Sequence, residues 1–129
     1  MKKVFFYSSL KRDGFNFKRF ASGREKEIVF VQEMTIPGFT IYNTGCTYPA
    51  AIKCPEKSIE GEVFEVSEEV FESVSNMERG AGYIFGLFDD VIIFYMTKEK
   101  FKHCYGELTK ENHIGRVWED RMGRRWLKL

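Results

Sequence analysis

The feature that most constrains this chain is an apolar run near its start, Val4-Phe5-Phe6-Tyr7, which is followed at once by Ser8-Ser9 and then by charged residues. Four apolar residues in a row predict a strand buried on both faces, and the two serines predict a polar turn at its end. Backbone N–H groups and two hydroxyls at the exit of a core strand suit a small polar ligand. Many strands also end in this way for structural reasons alone, so the rest of the chain is needed to distinguish a ligand site from a purely structural turn.

The length and charge of the chain restrict its class. Its 129 residues predict one domain over residues 1–129 with a single core. A net charge of +1 argues against a strong general field for nucleic acid. No apolar stretch approaches the roughly 20 residues of a membrane span, and the first apolar run is too short for a secretory signal. We therefore expect a cytoplasmic protein with no membrane contact, and the charge disfavours nucleic acid as a partner.

The cysteines provide a second restriction. Cys46, Cys54 and Cys104 are odd in number and include no C-x-x-C pair. That pattern is a poor disulfide framework and a poor zinc site, so we expect three reduced thiols. The sequence predicts no metal, no cofactor and no cysteine nucleophile.

Strand patterns recur along the chain. Turn signals at Pro37-Gly38 and Asp89-Asp90 and a predicted strand end at Cys54-Pro55 divide it into short pieces. About six or seven short strands with few helices predict an α+β fold, a small mixed β-barrel with short helices at its margin. The predicted strands are Val4–Tyr7, Ile28–Val31, Phe39–Tyr42, Tyr48–Ile52, Glu60–Val66, Tyr83–Phe88 and Val91–Tyr95.

The clearest helix signal begins at Ser67, a good N-cap followed by two acidic residues. This helix is predicted to end near Glu78 or Arg79, before Gly80. A shorter helix is expected over Lys98–Cys104, behind a Thr97 cap. Residues 11–27 are either a long loop or contain a helix over Asn16–Ser22. The remaining residues, 106–129, give no clear pattern.

Glu78 is the residue with the strongest chemical signal. Val70, Phe71, Val74 and Met77 form one apolar stripe of the Ser67 helix, and Glu78 lies on or beside it. Burial and a place in the last helical turn both raise the pKa of a carboxyl, which prepares it for proton transfer at neutral pH. The alternative is that the helix end frays and Glu78 simply faces water.

Four segments, taken in order, resemble one family. Tyr7-Ser8-Ser9-Leu10 is similar to the Tyr-Gly-Ser/Thr-Leu motif of the γ-glutamylcyclotransferase-like superfamily, and Lys11-Arg12 with Asn16 fit its γ-glutamylamine cyclotransferase (AIG2-like) branch. Glu78 stands where that family has its catalytic glutamate, and Tyr83 matches a following aromatic residue. The two segments that resemble the family between Asn16 and Glu78 are Tyr48-Pro49-Ala50-Ala51 and Gly61-Glu62-Val63-Phe64-Glu65-Val66.

The resemblance implies a fold, a reaction and a site. The fold is a small mixed barrel with short helices. Members release 5-oxoproline from γ-glutamyl compounds, because the substrate's own α-amine attacks its γ-carbonyl. No cofactor, metal or nucleophilic side chain is required. By resemblance, Glu78 is the general acid and base, and the backbone of Tyr7, Ser8, Ser9 and Leu10 binds the substrate.

Two departures from the family pattern keep an alternative open. Ser8 replaces the family's glycine, and Arg79 follows Glu78 where glycine is common, so an ion pair could lower the pKa of Glu78. A non-catalytic module that binds a small metabolite as a sensor or by sequestration is the alternative to an enzyme. A third interpretation is a nucleic-acid or protein contact through the C-terminal segment, against ordinary packing of its tryptophans on the barrel. Its basic and aromatic residues are Trp118, Arg121, Arg124, Arg125, Trp126 and Lys128.

Overall fold

The computed structural model describes residues 1–8, 10–12, 17–46 and 48–118. Six strands form one mixed sheet in the order β4-β5-β1-β3-β2-β6, which curls into a half-barrel flanked by three short helices. The predicted α+β fold is thus confirmed. The elements in chain order are β1 (Lys2–Phe6), α1 (Phe17–Ala21), β2 (Ile28–Asn43), β3 (Pro49–Val66), α2 (Glu68–Gly80), β4 (Ile84–Phe88), β5 (Val91–Tyr95), α3 (Lys98–Tyr105) and β6 (His113–Gly115).

The opening strand lies in the middle of the sheet. β1 pairs antiparallel with β3 and parallel with β5, so neighbours cover both of its edges. Val4 and Phe6 belong to one apolar cluster, and Phe5 and Tyr7 belong to another. Because successive side chains of a strand point to opposite faces, the apolar run fills a core on each side of the sheet. The prediction of a strand buried on both faces is confirmed.

The predicted turn at Pro37-Gly38 and the predicted strand end at Cys54-Pro55 are both wrong. β2 and β3 run past these residues, so four predicted short strands are two long ones. The pairing of β2 with β3 shifts register between Pro37 and Phe39, and Gly38 supplies a φ of 91° there. Turn chemistry therefore makes an irregularity in the pairing of a continuous ribbon instead of ending its strands.

The predicted hairpin and the two later helices are confirmed. Asp89 and Asp90 both have positive φ, as a two-residue connection between β4 and β5 requires. Thr97 caps α3 by accepting the N–H of Lys100. α1 lies within the region where either a loop or a helix was predicted, while Asn16 lies outside the described residues. In the described part of the chain, no helix is long and apolar enough to cross a membrane.

Ser67 fixes the start of α2, and its removal should be measurable. Its hydroxyl accepts the N–H of Val70 at 3.2 Å and donates to Glu27 at 2.9 Å. We expect Ser67→Ala to lower the free energy of unfolding by about 1 kcal/mol, measured by urea titration. Ser73→Ala, at an exposed position of the same helix, is the control and should cost nothing. Equal losses in both variants would contradict a capping role.

Candidate active site

The chain leaves β1 through a turn that is tied to the core by Tyr7. The Tyr7 side chain is buried, and its hydroxyl donates to the Phe94 carbonyl at 2.9 Å and accepts the Ala51 N–H at 3.1 Å. The carbonyl of Ser8 then accepts the N–H of Lys11 at 3.0 Å. The exit of β1 is therefore fixed against β5 and β3 at once. Ser9 lies outside the described residues.

The far side of this turn is held by an ion pair that involves Glu62. One carboxylate oxygen of Glu62 accepts the Arg12 N–H at 2.6 Å, and the other accepts the Arg12 Nε–H at 3.1 Å. The Arg12 guanidinium also stacks 3.5 Å from the centre of the Phe30 ring. Glu62 is only 8% exposed, and a buried carboxylate with two charge-assisted hydrogen bonds holds its partner firmly. Glu62 lies in a segment that resembles a family strand, but this role was not predicted.

Glu78 stands opposite, in the last turn of α2. Its carbonyl accepts the N–H groups of Ala81 and Tyr83, at 3.1 and 3.0 Å, so the helix end is closed and does not fray. The carboxyl is partly enclosed, and burial raises its pKa from 4.5 to about 7. Arg79 points elsewhere, with its guanidinium 5.4 Å from the centre of the Phe85 ring. The structure therefore provides no Arg79 ion pair that would lower the pKa of Glu78.

The apolar stripe of α2 is shorter than predicted. Val70 and Val74 are buried and Phe71 is half-buried. The prediction that Met77 faces the core is wrong, because its side chain is 54% exposed at the rim of a cavity. The residues of α2 that line this cavity are Ser73, Met77 and Glu78.

Two buried phenols, Tyr7 and Tyr83, also line the space that Glu78 borders. Tyr83 donates its O–H to the Pro49 carbonyl, as Tyr7 does to that of Phe94. Burial is the main cause that raises the pKa of both phenols far above the ordinary value; Glu78 adds to the effect at Tyr7, and Tyr7 and then Glu78 add to it at Tyr83. Both phenols therefore stay protonated. Because each phenol already donates its proton to a backbone carbonyl, both rings are held in place and neither hydroxyl proton is free to be transferred. Tyr83 matches an aromatic residue of the family, but its place in the cavity lining was not predicted.

A single cavity of about 510 Å³ collects these groups. Tyr7, Ser8, Leu10 and Glu78 all border it, so the structure brings together every predicted site residue that it describes. Arg19 and Arg24, which were not predicted as site residues, line the same cavity. The other lining residues are Phe5, Phe6, Phe20, Ser22, Tyr48, Pro49, Ser73, Met77, Ala81, Tyr83 and Phe94.

Among the described residues, the lining of the cavity includes no histidine and no cysteine. Within residues 1–8, 10–12, 17–46 and 48–118, no three His, Cys, Asp or Glu side chains are grouped to hold a metal ion. The three cysteines are free; Cys46 and Cys54 are half-buried, and Cys104 is exposed.

Trp118 is fully buried in the cluster of Phe5 and Tyr7, and Lys11 donates to its carbonyl at 2.7 Å. The predicted basic contacts of residues 121–128 lie outside the described residues.

Comparison with known proteins gives a family match and a fold match. A model of the family described as gamma-glutamyl cyclotransferase, AIG2-like, matches residues 4–91. An AIG2-like protein from Mus musculus has a similar structure, with a TM-score of 0.71 at 18% identity over 99% of this chain and 94% of that one. An uncharacterised protein from Pyrococcus horikoshii gives 0.66 at 20% identity, over 97% and 95%.

A third solved structure extends the same likeness. Protein ytfP from Escherichia coli has a TM-score of 0.61 at 15% identity, with coverage of 90% of this chain and 94% of that one. At such identities these structures show the fold alone. No curated protein matches the chain.

Proposed function

Because this chain belongs to the gamma-glutamyl cyclotransferase, AIG2-like family, we propose that it releases 5-oxoproline from a small γ-glutamyl compound, with Glu78 as general acid and base. The observation that carries the proposal is the position of Glu78, which borders the same cavity as Tyr7, Ser8 and Leu10. A carboxyl with a pKa of about 7 can both take and return a proton at neutral pH.

The proposed reaction needs one carboxyl group and no enzyme nucleophile. The ionised Glu78 takes a proton from the substrate's α-ammonium group, and the free amine forms a bond to the γ-carbonyl carbon. The bond from that carbon to the leaving nitrogen then breaks as Glu78 returns the proton to it. A second proton passes from the ring nitrogen to the released amine, which leaves as an ammonium ion. The products are 5-oxoproline and the amine, with no water consumed.

The cavity walls support the geometry of this ring closure. The backbone at Tyr7, Ser8, Ser9 and Leu10 is assigned the substrate's α-carboxylate and amine. Tyr7 and the Arg12–Glu62 ion pair hold this turn in place from two sides. Fixing the amine next to the carbonyl supplies an orientation effect beyond proton transfer.

A cytoplasmic location is part of this proposal. Cys46, Cys54 and Cys104 are free thiols in the structure. A reducing compartment keeps such thiols unpaired.

The reaction type can be tested with substrates alone. We expect a γ-glutamyl amide to yield 5-oxoproline and free amine in equal amounts, followed by mass spectrometry. The matched compound with an N-acetylated α-amine should yield nothing, because it lacks the attacking nitrogen. Release of glutamate or N-acetylglutamate would instead show hydrolysis by water and overturn the proposal. Thermal stabilisation by these compounds without any product would favour the non-catalytic binding module.

A further inference from the structure

The strand β4 presents an apolar surface at one edge of the sheet. Within the described residues it pairs with β5 alone, so its other side is open. Ile84, Phe85 and Leu87 are all exposed, Leu87 by 71%. The five residues of β4 include neither a charged residue nor a proline, which commonly protect an edge strand. Such an edge is a template for pairing with another strand.

The first half of β2 is a second open edge, but it is protected. In the described sheet, β6 pairs only with the far end of β2, and Val29 is exposed in the first half. That half also carries Glu33, and its pairing with β3 shifts register between Phe30 and Gln32. Because charge and irregular pairing both weaken an edge as a template, β4 is the better candidate for a contact between chains.

The turn before β5 determines which backbone groups of β4 face outward. Both residues of the Asp89-Asp90 turn have positive φ, 46° and 64°, which is typical of a type I′ turn. Such a turn closes with a hydrogen bond between Phe88 and Val91, and hydrogen-bonded pairs alternate along the hairpin from there. The N–H and C=O groups of Phe85 and Leu87 therefore point away from β5, into the open side.

The two ends of β4 carry opposite charge. Asp89-Asp90 follows its C-terminal end. At the N-terminal end the Lys100 side chain lies beside Gly82, since a Cβ atom added to Gly82 would be 2.8 Å from Lys100 Cε. Arg79 lies at this end too, 5.4 Å from the centre of the Phe85 ring. A five-residue strand separates the ends by roughly 17 Å, about twice the Debye length, so these charges hardly attract each other within one chain.

We infer that two copies of this chain associate through β4, antiparallel, with Gly86 of one copy opposite Gly86 of the other. In this register the outward backbone groups of Phe85 meet those of Leu87 in the second copy, and each such pair exchanges two hydrogen bonds. The side chains of these two residues share a face and lie directly opposite each other, so they pack together across the contact. The exposed apolar side chains thereby leave water.

The same register brings the opposite charges together. Asp90 of each copy lies opposite Gly82 of the other, next to Lys100. A parallel arrangement would instead place the two acidic turns side by side, so the charges favour the antiparallel one. Because the contact is isologous, the attraction occurs twice and the assembly closes at two chains.

Sedimentation of the full chain over a concentration series tests this contact. We expect a species of twice the mass of one chain, with a fraction that increases with concentration. Leu87→Lys should raise the dissociation constant of the dimer by about tenfold or more, because it places an ammonium group against an apolar partner. Val29→Lys, at the exposed valine of β2, is the matched control and should leave the constant unchanged. A monomer at every concentration, or equal constants in all three proteins, would overturn the inference.

A double-mutant cycle tests the antiparallel register. Asp90→Asn and Lys100→Gln should each raise the dissociation constant about threefold or more, and the double variant should raise it no further. The exposed pair of Asp90 with Lys3, at 3.7 Å, lies within one copy and cancels in the cycle. Lys98→Gln is the control, because residues two apart on a helix do not face each other, and it should change nothing. Additive effects of Asp90→Asn and Lys100→Gln would contradict the register.

Hydrogen exchange distinguishes a second copy from other occupants of the edge and needs no variant that must fold. The amide of Phe85 should become better protected as the protein concentration increases. Protection that is independent of concentration would mean that another part of the same chain covers β4, and would overturn the inference. None of these measurements requires turnover, so failure of the proposed function would leave their outcome unchanged.

Discussion

Replacing Glu78 with glutamine is expected to lower the rate of 5-oxoproline release by about 10²- to 10⁴-fold. The amide has nearly the shape of the carboxyl but cannot exchange a proton with the substrate. The Tyr7 and Tyr83 phenols cannot take over, because both stay protonated and donate to backbone carbonyls. The measurement is kcat/KM by product assay. Turnover by Glu78→Gln at the original rate would remove Glu78 from the mechanism.

The pH profile provides an independent signature of the same residue. Glu78 must be ionised to accept the first proton, and burial places its pKa at about 7. We therefore expect kcat/KM of the unaltered protein to rise as the pH increases through about 7. An ordinary glutamate would give that rise near pH 4.5. The residual activity of Glu78→Gln should lack this limb of the profile.

Stability measurements separate lost catalysis from lost folding. A carboxyl whose pKa is raised in the folded state contributes stability that is full below its unfolded pKa and is lost as the pH rises through about 7. Glu78→Gln should therefore be more stable than the unaltered protein at pH 8, by about 2–3 kcal/mol, with no difference near pH 4. Glu72→Gln, at an exposed position of α2, is the control and should change neither stability nor rate. A Glu78→Gln variant that is less stable at pH 8 would contradict this account.

The features that are predicted well from the sequence are formed by interactions between residues close together along the chain. The Ser67 cap and the Asp89-Asp90 turn form through short-range hydrogen bonds and backbone preferences. Val4-Phe5-Phe6-Tyr7 must be buried on both faces wherever the strand lies in the sheet. Glu78 could be placed near the core because a helix has a fixed period. Its cavity could not be derived in this way, and only the family resemblance set Glu78 opposite Ser8.

The long β2–β3 ribbon shows why other predictions failed. Proline and glycine indicate a turn in isolation, but Pro37-Gly38 and Cys54-Pro55 lie where the register of the ribbon shifts. A residue at such a shift does not need its N–H for the ladder, so proline is tolerated. Whether these residues end a strand or bend it depends on pairing between segments distant in sequence.

Arg19 and Glu62 were missed for a related reason. On sequence alone, Arg19 is one of many charges in a polar stretch, and Glu62 is the outward residue of an alternating strand. β1 pairs Phe6 with Glu62, which brings the carboxylate beneath the turn that carries Arg12. Phe20 attaches α1 to Phe6 and thereby directs Arg19 to the cavity. Both assignments depend on tertiary contacts that local patterns do not encode.

The antiparallel pairing of β1 with β3 also explains why residue 61 is glycine. A Cβ atom on Gly61 would lie 2.5 Å from the Phe6 carbonyl oxygen and 2.6 Å from the Phe5 ring. Real Cβ atoms essentially never approach other atoms so closely. The carbonyl belongs to the backbone of a strand paired on both sides, so it cannot move without breaking hydrogen bonds.

We expect Gly61→Ala to lower the free energy of unfolding by about 3 kcal/mol, at the upper end of the usual cost of overpacking a core. Urea denaturation measures this loss directly. Gly80→Ala is the matched control, because nothing lies within 4 Å of its added Cβ and alanine suits the end of α2 better than glycine. It should be neutral or slightly stabilising, and equal behaviour of the two variants would contradict the close packing at Gly61. Since Phe6 leads directly into Tyr7 and Ser8, any Gly61→Ala protein that folds should also lose activity, as its displaced β1 would move one wall of the cavity away from Glu78.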